Sequence, residues 1–366
     1  MSHGSLASRG NAGDERKGGV AVKRLFVAML SLACSFSAQA HHSFGAFYDT
    51  NSSVELEGEI SSVLWRNPHV RFTMDVTADD GSVTSWRMES GSVNTLQRFG
   101  VGRSVINVGT NLRVWGIPSR HGRNEMFVVS LFAENGDEIV LNPNLASNLD
   151  RKSDEPLPTP LEIPGALAEA AESEAAGIFR VWTPDKRPNT GSGLHVWPLT
   201  AAAQAAKDAW NPLVDDPALR CIPPGVPAAM DNPYPIEFID NGDTITLRLE
   251  EWDGLRTIRM TANPSADDPA RPHMGQSTGR WQGSTLVVTT TQVDYPFFDD
   301  VGSPMSTDAV IVENFTLSDD GNRLDWNVTT TDPQNFTEPV TLEGSWRWVP
   351  GEQIKAYECT LEAGQQ

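Results

Sequence analysis

The sequence predicts a mainly β protein: an OB-like Greek-key barrel at the N-terminal side and an antiparallel up-and-down β-barrel or half-barrel, lipocalin-like, at the C-terminal side. Three observations lead there. Short apolar runs alternate strictly with polar residues, as in His69 to Thr77, where Val70, Phe72, Met74 and Val76 face one way and His69, Arg71, Thr73 and Asp75 the other. Turn signals such as Asp79-Asp80-Gly81, Asp253-Gly254, Gln282-Gly283 and Asp319-Asp320-Gly321 separate these runs into hairpins. Between the two sets of strands the composition changes, with prolines at 143, 156, 158, 160 and 164 followed by an Ala/Glu-rich run.

Residues 1–40 are set apart as a signal peptide with a start-site extension before Val22. Lys23 and Arg24 form a positive n-region, Leu25 to Phe36 is apolar, and Ala38-Gln39-Ala40 offers small residues for cleavage after Ala40. The apolar run falls short of the roughly 20 residues a membrane helix needs, so no membrane span is expected. The expected location is periplasmic or secreted, with the mature chain starting at His41.

Residues 41–141 form the OB-like domain. Val54 to Trp65 is its first strand and Asn67-Pro68 breaks it. His69 to Thr77 and Val83 to Glu89 make a hairpin, and Ser92 caps a short helix carrying Val93, Leu96 and Phe99 that Gly100 and Gly102 end. Leu112 to Ile117 and Asn124 to Phe132 follow. Three strands, a helix and two strands match a small Greek-key barrel. A generic small β-sandwich is the alternative.

Residues 142–176 are the linker, stiff at first and helical at its end. Residues 177–366 then read as strand upon strand: Ile178 to Trp182, Ile236 to Asp240, Thr244 to Trp252, Leu255 to Ala262, Arg280-Trp281, Leu286 to Val293, Ala309 to Leu317, Arg323 to Thr331, Thr341 to Val349 and Ala356 to Leu361. Leu199 to Trp210 is helix-like, and Pro217 to Pro235 is an irregular crossover. About ten strands should curl into a barrel, which holds a small ligand or fills with side chains.

The chain carries 28 basic against 48 acidic side chains, a net charge of −20, and removal of residues 1–40 makes the balance more negative still. Such a potential opposes nucleic acid and anionic membrane surfaces as partners. Of the 3 cysteines only Cys221 and Cys359 survive processing, and an exported pair is expected to form a disulfide, with two free buried thiols as the alternative.

At His41-His42-Ser43-Phe44 and Trp65-x-Asn67-Pro68-His69 the chain resembles a bacterial exported family of unknown function whose mature chains begin His-His-Ser-Phe. Its later segments Asp215-Asp216-Pro217-Ala218-Leu219-x-Cys221-x-Pro223-Pro224-Gly225, Pro233-Tyr234-Pro235-Ile236-Glu237 and Gly279-Arg280-Trp281-x-Gly283 resemble the β-rich second module often attached to that family. The resemblance implies no established reaction. It also implies histidines where this chain has Gln276, Ser303 and Met305, so polar chemistry of relatives at those places does not carry over.

The candidate site is a metal site at the mature N-terminus. The free amine and Nδ1 of His41 form a chelate suited to copper(II), with His42 beside it and His69 on the polar strand face as the further nitrogen donor. Such an arrangement is a histidine brace. His195 and His273 read as solvated loop residues, and the pairs Asp267-Asp268, Asp299-Asp300 and Asp319-Asp320 as solvated turns. No nucleophile elbow, zinc-protease helix, phosphate loop or dinucleotide fingerprint is present. The expected function is therefore that of a non-enzymatic binding protein for a small apolar or amphipathic ligand, with copper at the N-terminus set against a plainer reading in which His69 only caps the Asn67-Pro68 turn and the His-His end is disordered. The alternatives are a copper-dependent oxidoreductase using His41, His42 and His69, and an envelope interaction module.

Overall fold

The computed structural model describes residues 44–361 except 133–135, 143–144, 147–148, 150–161, 191–194, 213 and 262–272. The proposed signal peptide, its cleavage site, His41 and His42 therefore lie outside the described residues. Among the described residues no helix is long and apolar enough to cross a membrane.

The N-terminal side begins with the short helix α1 (Phe44–Phe47). It continues through β1 (Val54–Leu64), β2 (Arg71–Thr77), β3 (Val83–Glu89), α2 (Val93–Arg98), β4 (Asn111–Pro118), β5 (Glu125–Phe132) and β6 (Glu138–Val140). The strands are ordered β3-β2-β1-β4-β5-β6. A parallel pairing of Arg87 to Glu89 with Glu125 to Phe127 closes β1 to β5 into a five-stranded barrel. Val70, Phe72 and Met74 point into its core beside Ile60, Met88, Leu96 and Val128, as the alternation predicts. Ser92 caps α2 by accepting from the Thr95 amide at 3.0 Å, and Gly100 leaves the helix at φ 77°. Strand β5 is buried on both faces because a second apolar cluster, with Phe47, Tyr48, Trp115 and Phe127, covers the outside of β4 and β5.

In the linker, α3 (Gly165–Glu174) buries none of its residues. The C-terminal side then runs β7 (Val181–Lys186), α4 (Ala201–Ala209), β8 (Ile236–Asp240), β9 (Thr244–Leu249), β10 (Gly254–Arg259), β11 (Gln276–Gln282), β12 (Thr285–Thr291), β13 (Val310–Leu317), β14 (Arg323–Thr331) and β15 (Val340–Trp348). These nine strands close into a barrel in which β15 returns to β7. Neighbours are antiparallel except β10 and β11, whose Ile258 and Arg259 pair in parallel with Ser277 and Thr278. A strictly up-and-down order therefore fails at one seam.

Alternation along β9, β13 and β14 turns every second residue inward, and the interior is filled by Trp182, Phe238, Phe315, Trp326 and Trp346. A polar network sits among them. Arg256 donates from Nη1 to Glu313 at 3.1 Å and pairs with it again through Nη2. Its Nε reaches Ser277 at 2.9 Å and its Nη2 reaches Thr290 at 2.6 Å. Trp326 Nε1 adds a further donor to Glu313 at 3.2 Å, so the buried charges are hydrogen-bonded throughout.

Ala356 to Leu361, read from sequence as a closing strand, is not one. Circular closure through β7 leaves no free edge for it to join. The segment instead crosses to the five-stranded barrel, where Asn67 forms a bridge with Cys359 and donates to the Tyr357 carbonyl. Beside it Glu250, fully buried, accepts from Arg98 at 2.7 and 2.6 Å, from Asn94 at 2.9 Å and from the Lys355 amide at 2.9 Å. The two barrels thus meet over a hydrogen-bonded carboxylate and belong to one compact unit, Ala40–Gln366.

Candidate functional site

The Asn67-Pro68-His69 turn that ends β1 is held from three sides. Asn67 is 4 % exposed; its Oδ1 accepts from the Val93 amide at 2.9 Å and its Nδ2 donates to Asn94 at 3.1 Å and to the Tyr357 carbonyl. This fixes where His69 begins the next stretch of chain. The His69 side chain stays about one-fifth exposed, with Nδ1 3.0 Å from the Ser90 carbonyl and 3.6 Å from Glu89 Oε1. A carbonyl only accepts, so this contact assigns the hydrogen of the neutral ring to Nδ1 and the lone pair to Nε2. Histidines that bind metals are commonly oriented in this way, by a carbonyl or carboxylate on the other ring nitrogen.

Glu89 is the hub of the site. It lies opposite Arg71 in the β2–β3 register and accepts from Arg71 Nε at 3.1 Å. Tyr48 hydrogen-bonds to it from the segment after α1, and burial, then the Glu89 charge, pushes the Tyr48 phenol well above its ordinary range. Phe127, paired with Glu89 across the parallel seam, gathers three rings: Phe44 at 4.9 Å, Tyr48 at 5.6 Å and His69 at 6.5 Å. The chain therefore arrives at Phe44 on the same aromatic ring that His69 touches.

A groove opens on the other side of His69. Arg66, Pro68, His69 and Arg71 line it from the five-stranded barrel, facing Ala218, Cys221 and Leu361. Cys221 and Cys359 are bonded at its edge, with Cα atoms 5.9 Å apart, as expected from the sequence. The location differs in one respect: Cys359 lies on the crossing segment and not on a barrel strand.

Of the three histidines proposed as ligands, His69 is the one that falls among the described residues. No group of three or more His, Cys, Asp or Glu side chains among the described residues is arranged to hold a metal ion. His121 went unremarked in the sequence. It sits in the exposed turn between β4 and β5, its ring 6.4 Å from Phe47, on the side where the chain comes in. Only the return of α1 to the β4–β5 turn brings it there, through Arg120 donating to the Phe47 carbonyl at 2.8 Å. Glu89 and Tyr48 were likewise missed, because their meeting depends on β3–β5 closure and on α1.

In the second barrel Gln276, Ser303 and Met305 stand in a strand, a hydrogen-bonded loop and the core, respectively. Gln276 opens β11, Met305 is in the core, and buried Ser303 donates to Asp299 at 2.6 Å while accepting from Lys207 at 2.8 Å. His195 is stacked on Trp197 at 4.8 Å and 5°, with Nε2 3.0 Å from the Pro188 carbonyl.

Residues 28–127 match a family described as "Family of unknown function (DUF6152)". The match ends within β5 and so spans most of the five-stranded barrel. No curated protein matches the chain. The family match fits the reading of the N-terminal module as part of an uncharacterised family.

Proposed function

We propose that this is an exported, non-enzymatic binding protein whose mature N-terminus holds copper(II). Cleavage after Ala40 frees the amine of His41. That amine and the His41 imidazole form the chelate, and Nε2 of His69 supplies the third nitrogen, with His42 alongside. The observation that carries this reading is the shared packing of Phe44 and His69 on Phe127. Phe44 lies three chain steps beyond His41, and an extended chain of that length reaches about 10 Å. The carbonyl contact of His69 Nδ1 turns the lone pair to Nε2, the nitrogen a metal would use. The Cys221–Cys359 disulfide supports an oxidising compartment outside the cytoplasm.

The expected small apolar ligand has less support inside the second barrel, whose interior is filled by aromatic side chains and the Arg256–Glu313 network.

Copper titration of protein beginning at His41 tests the proposal. The expected result is one copper(II) bound with a nitrogen-rich electron paramagnetic resonance signal. One residue added before His41 converts the amine to an amide and should lower affinity at least tenfold, a difference of about 1.4 kcal/mol. His69→Ala should weaken binding while leaving the circular dichroism spectrum unchanged. Equal affinity in the extended and the cleaved protein rules out the amine chelate. Oxygen-dependent turnover of an added reductant by the copper-loaded protein would move the assignment to a copper oxidoreductase.

A further inference from the structure

The groove beside His69 draws its walls from both barrels, and most of its lining is not used by the copper site. The ionisable residues that line it are Arg66, His69 and Arg71, all basic, on a chain whose net charge is −20. Among the described residues no carboxylate lines it. The rest of the lining is mostly apolar: Pro68 on one side, and Ala218, Leu219 and Leu361 on the other. Together these walls enclose about 310 Å³, partly open to solvent, which is at the lower end of the range for small-molecule sites.

Each wall is fixed by contacts away from the groove itself. Arg66 precedes Asn67, whose side chain is held by the Val93 amide, Asn94 and the Tyr357 carbonyl, and whose backbone bridges to Cys359. Arg71 opens β2 opposite Glu89, and its Nε donates to Glu89 at 3.1 Å. On the facing wall Asp216 caps the single turn Pro217–Arg220 through the Ala218 amide at 2.9 Å, which sets Ala218 and Leu219. Cys221 follows, and its disulfide to Cys359 fixes the place of Leu361. Walls set before a ligand arrives spare it most of the ordering cost of binding.

A guanidinium carries five N–H donors, more than the contact between Arg71 and Glu89 uses. A carboxylate matches that planar fork with two parallel hydrogen bonds, and the contact strengthens where the side chains are half-buried, as Arg66 and Arg71 are. Like charges gathered between residues 66 and 71 also repel one another, and an anion between them relieves this. An inorganic anion gains nothing from Pro68, Leu219 and Leu361 and loses hydration beside them, whereas an acid with an apolar body buries that body there. The negative potential of the whole chain slows the approach of any anion, so affinity has to come from these short contacts.

We propose that this groove binds a small monocarboxylic acid with an aromatic or short aliphatic body. Arg66 and Arg71 take its carboxylate, and Pro68, Leu219 and Leu361 pack its body. The expected amphipathic ligand thus lies between the barrels and not inside the second one. The site needs neither copper nor a free N-terminal amine.

The test uses the whole mature protein, stripped of metal with EDTA, and reads binding by saturation-transfer NMR. Benzoate is the probe, with acetate, benzyl alcohol and inorganic phosphate as comparisons. Saturable binding of benzoate is expected, with acetate at least about tenfold weaker and the alcohol not bound. Equimolar phosphate should not displace benzoate. Arg66→Gln should weaken benzoate about tenfold or more. Arg220→Gln, which removes the same charge from an exposed residue outside the groove, should leave binding unchanged. Protein extended before His41 should bind benzoate as the parent does, so failure of the copper reading and failure of this one are told apart. Absence of saturable benzoate binding, equal binding of the alcohol or of acetate, or displacement by equimolar phosphate overturns the proposal. So does undiminished binding in Arg66→Gln, or an equal loss in the Arg220 variant. If Arg66→Gln fails to fold, Leu219→Glu decides: a carboxylate placed in the groove should abolish benzoate binding, and undiminished binding there overturns the proposal.

Discussion

Asp216 shows how a single carboxyl group departs from its pattern in the sequence. Burial pushes it up to about 6, with the Ala218 amide and Arg220 offsetting part of the effect, and burial likewise pushes Glu251 up to about 7. The folded state therefore takes up these protons at higher pH than the unfolded chain does. Their contribution to stability is greatest below about pH 4 and is lost as pH rises through 6 to 7. Asp216→Asn removes the charge but keeps an oxygen for Ala218. Chemical unfolding at pH 8 should find the variant more stable than the parent by up to about 3 kcal/mol, two units at 1.36 kcal/mol each, and the gain should shrink towards pH 4. A variant less stable at pH 8 would show that the site is wetter than its burial implies. Asp299-Asp300 belongs to the same lesson. The pair reads as a solvated turn, yet Asp299 is 1 % exposed, whereas Asp319-Asp320 is the exposed turn its spacing suggests. Adjacent acids at a turn look alike in sequence, and only packing by distant aromatic residues separates them.

Among the elements, the crossing segment from Glu352 to Leu361 differs most from its reading. Its amides are taken by a carboxylate: Asp253 accepts from Tyr357 at 2.8 Å and from Glu358 at 2.9 Å, while Asn94 takes the Ala356 carbonyl at 3.1 Å. Its alternation resembles a strand because Ala356 to Leu361 alternates whichever partner it meets. The disulfide then fastens this segment to the crossover before β8. Joining residues 138 apart removes much unfolded-chain freedom, a stabilisation of roughly 4 to 5 kcal/mol by the chain-entropy argument. Thiol labelling of unfolded, unreduced protein should count none of these two sulfurs as free. Cys221→Ser with Cys359→Ser should lower the denaturation midpoint markedly, and an unchanged midpoint would mean that the crossing segment adds little to the fold.

At the scale of the whole molecule, Glu250 is the hinge between the barrels. Its carboxylate takes two donors from Arg98 and one from Asn94 on α2. Cutting a buried carboxylate from such partners is costly, about 3 to 5 kcal/mol. The intact protein should unfold in one calorimetric transition. Arg98→Ala should split it into two, because each barrel has its own apolar core. A single transition in that variant would show that the crossing segment alone couples the halves. By itself, the sequence determined the β class, the hairpins, the capped helix α2, the inward faces of the strands and the cysteine pair. These follow from two-residue alternation and turn chemistry, which are local. Tertiary structure alone decided that Glu89 and Tyr48 stand by His69, that Arg256 meets Glu313 inside the barrel, and that Asp299 is buried against Trp197 and Ser303. Each of those meetings, the Asp299–Ser303 contact aside, joins residues far apart in the chain through barrel closure or a crossover, and no local pattern records which strands close on which.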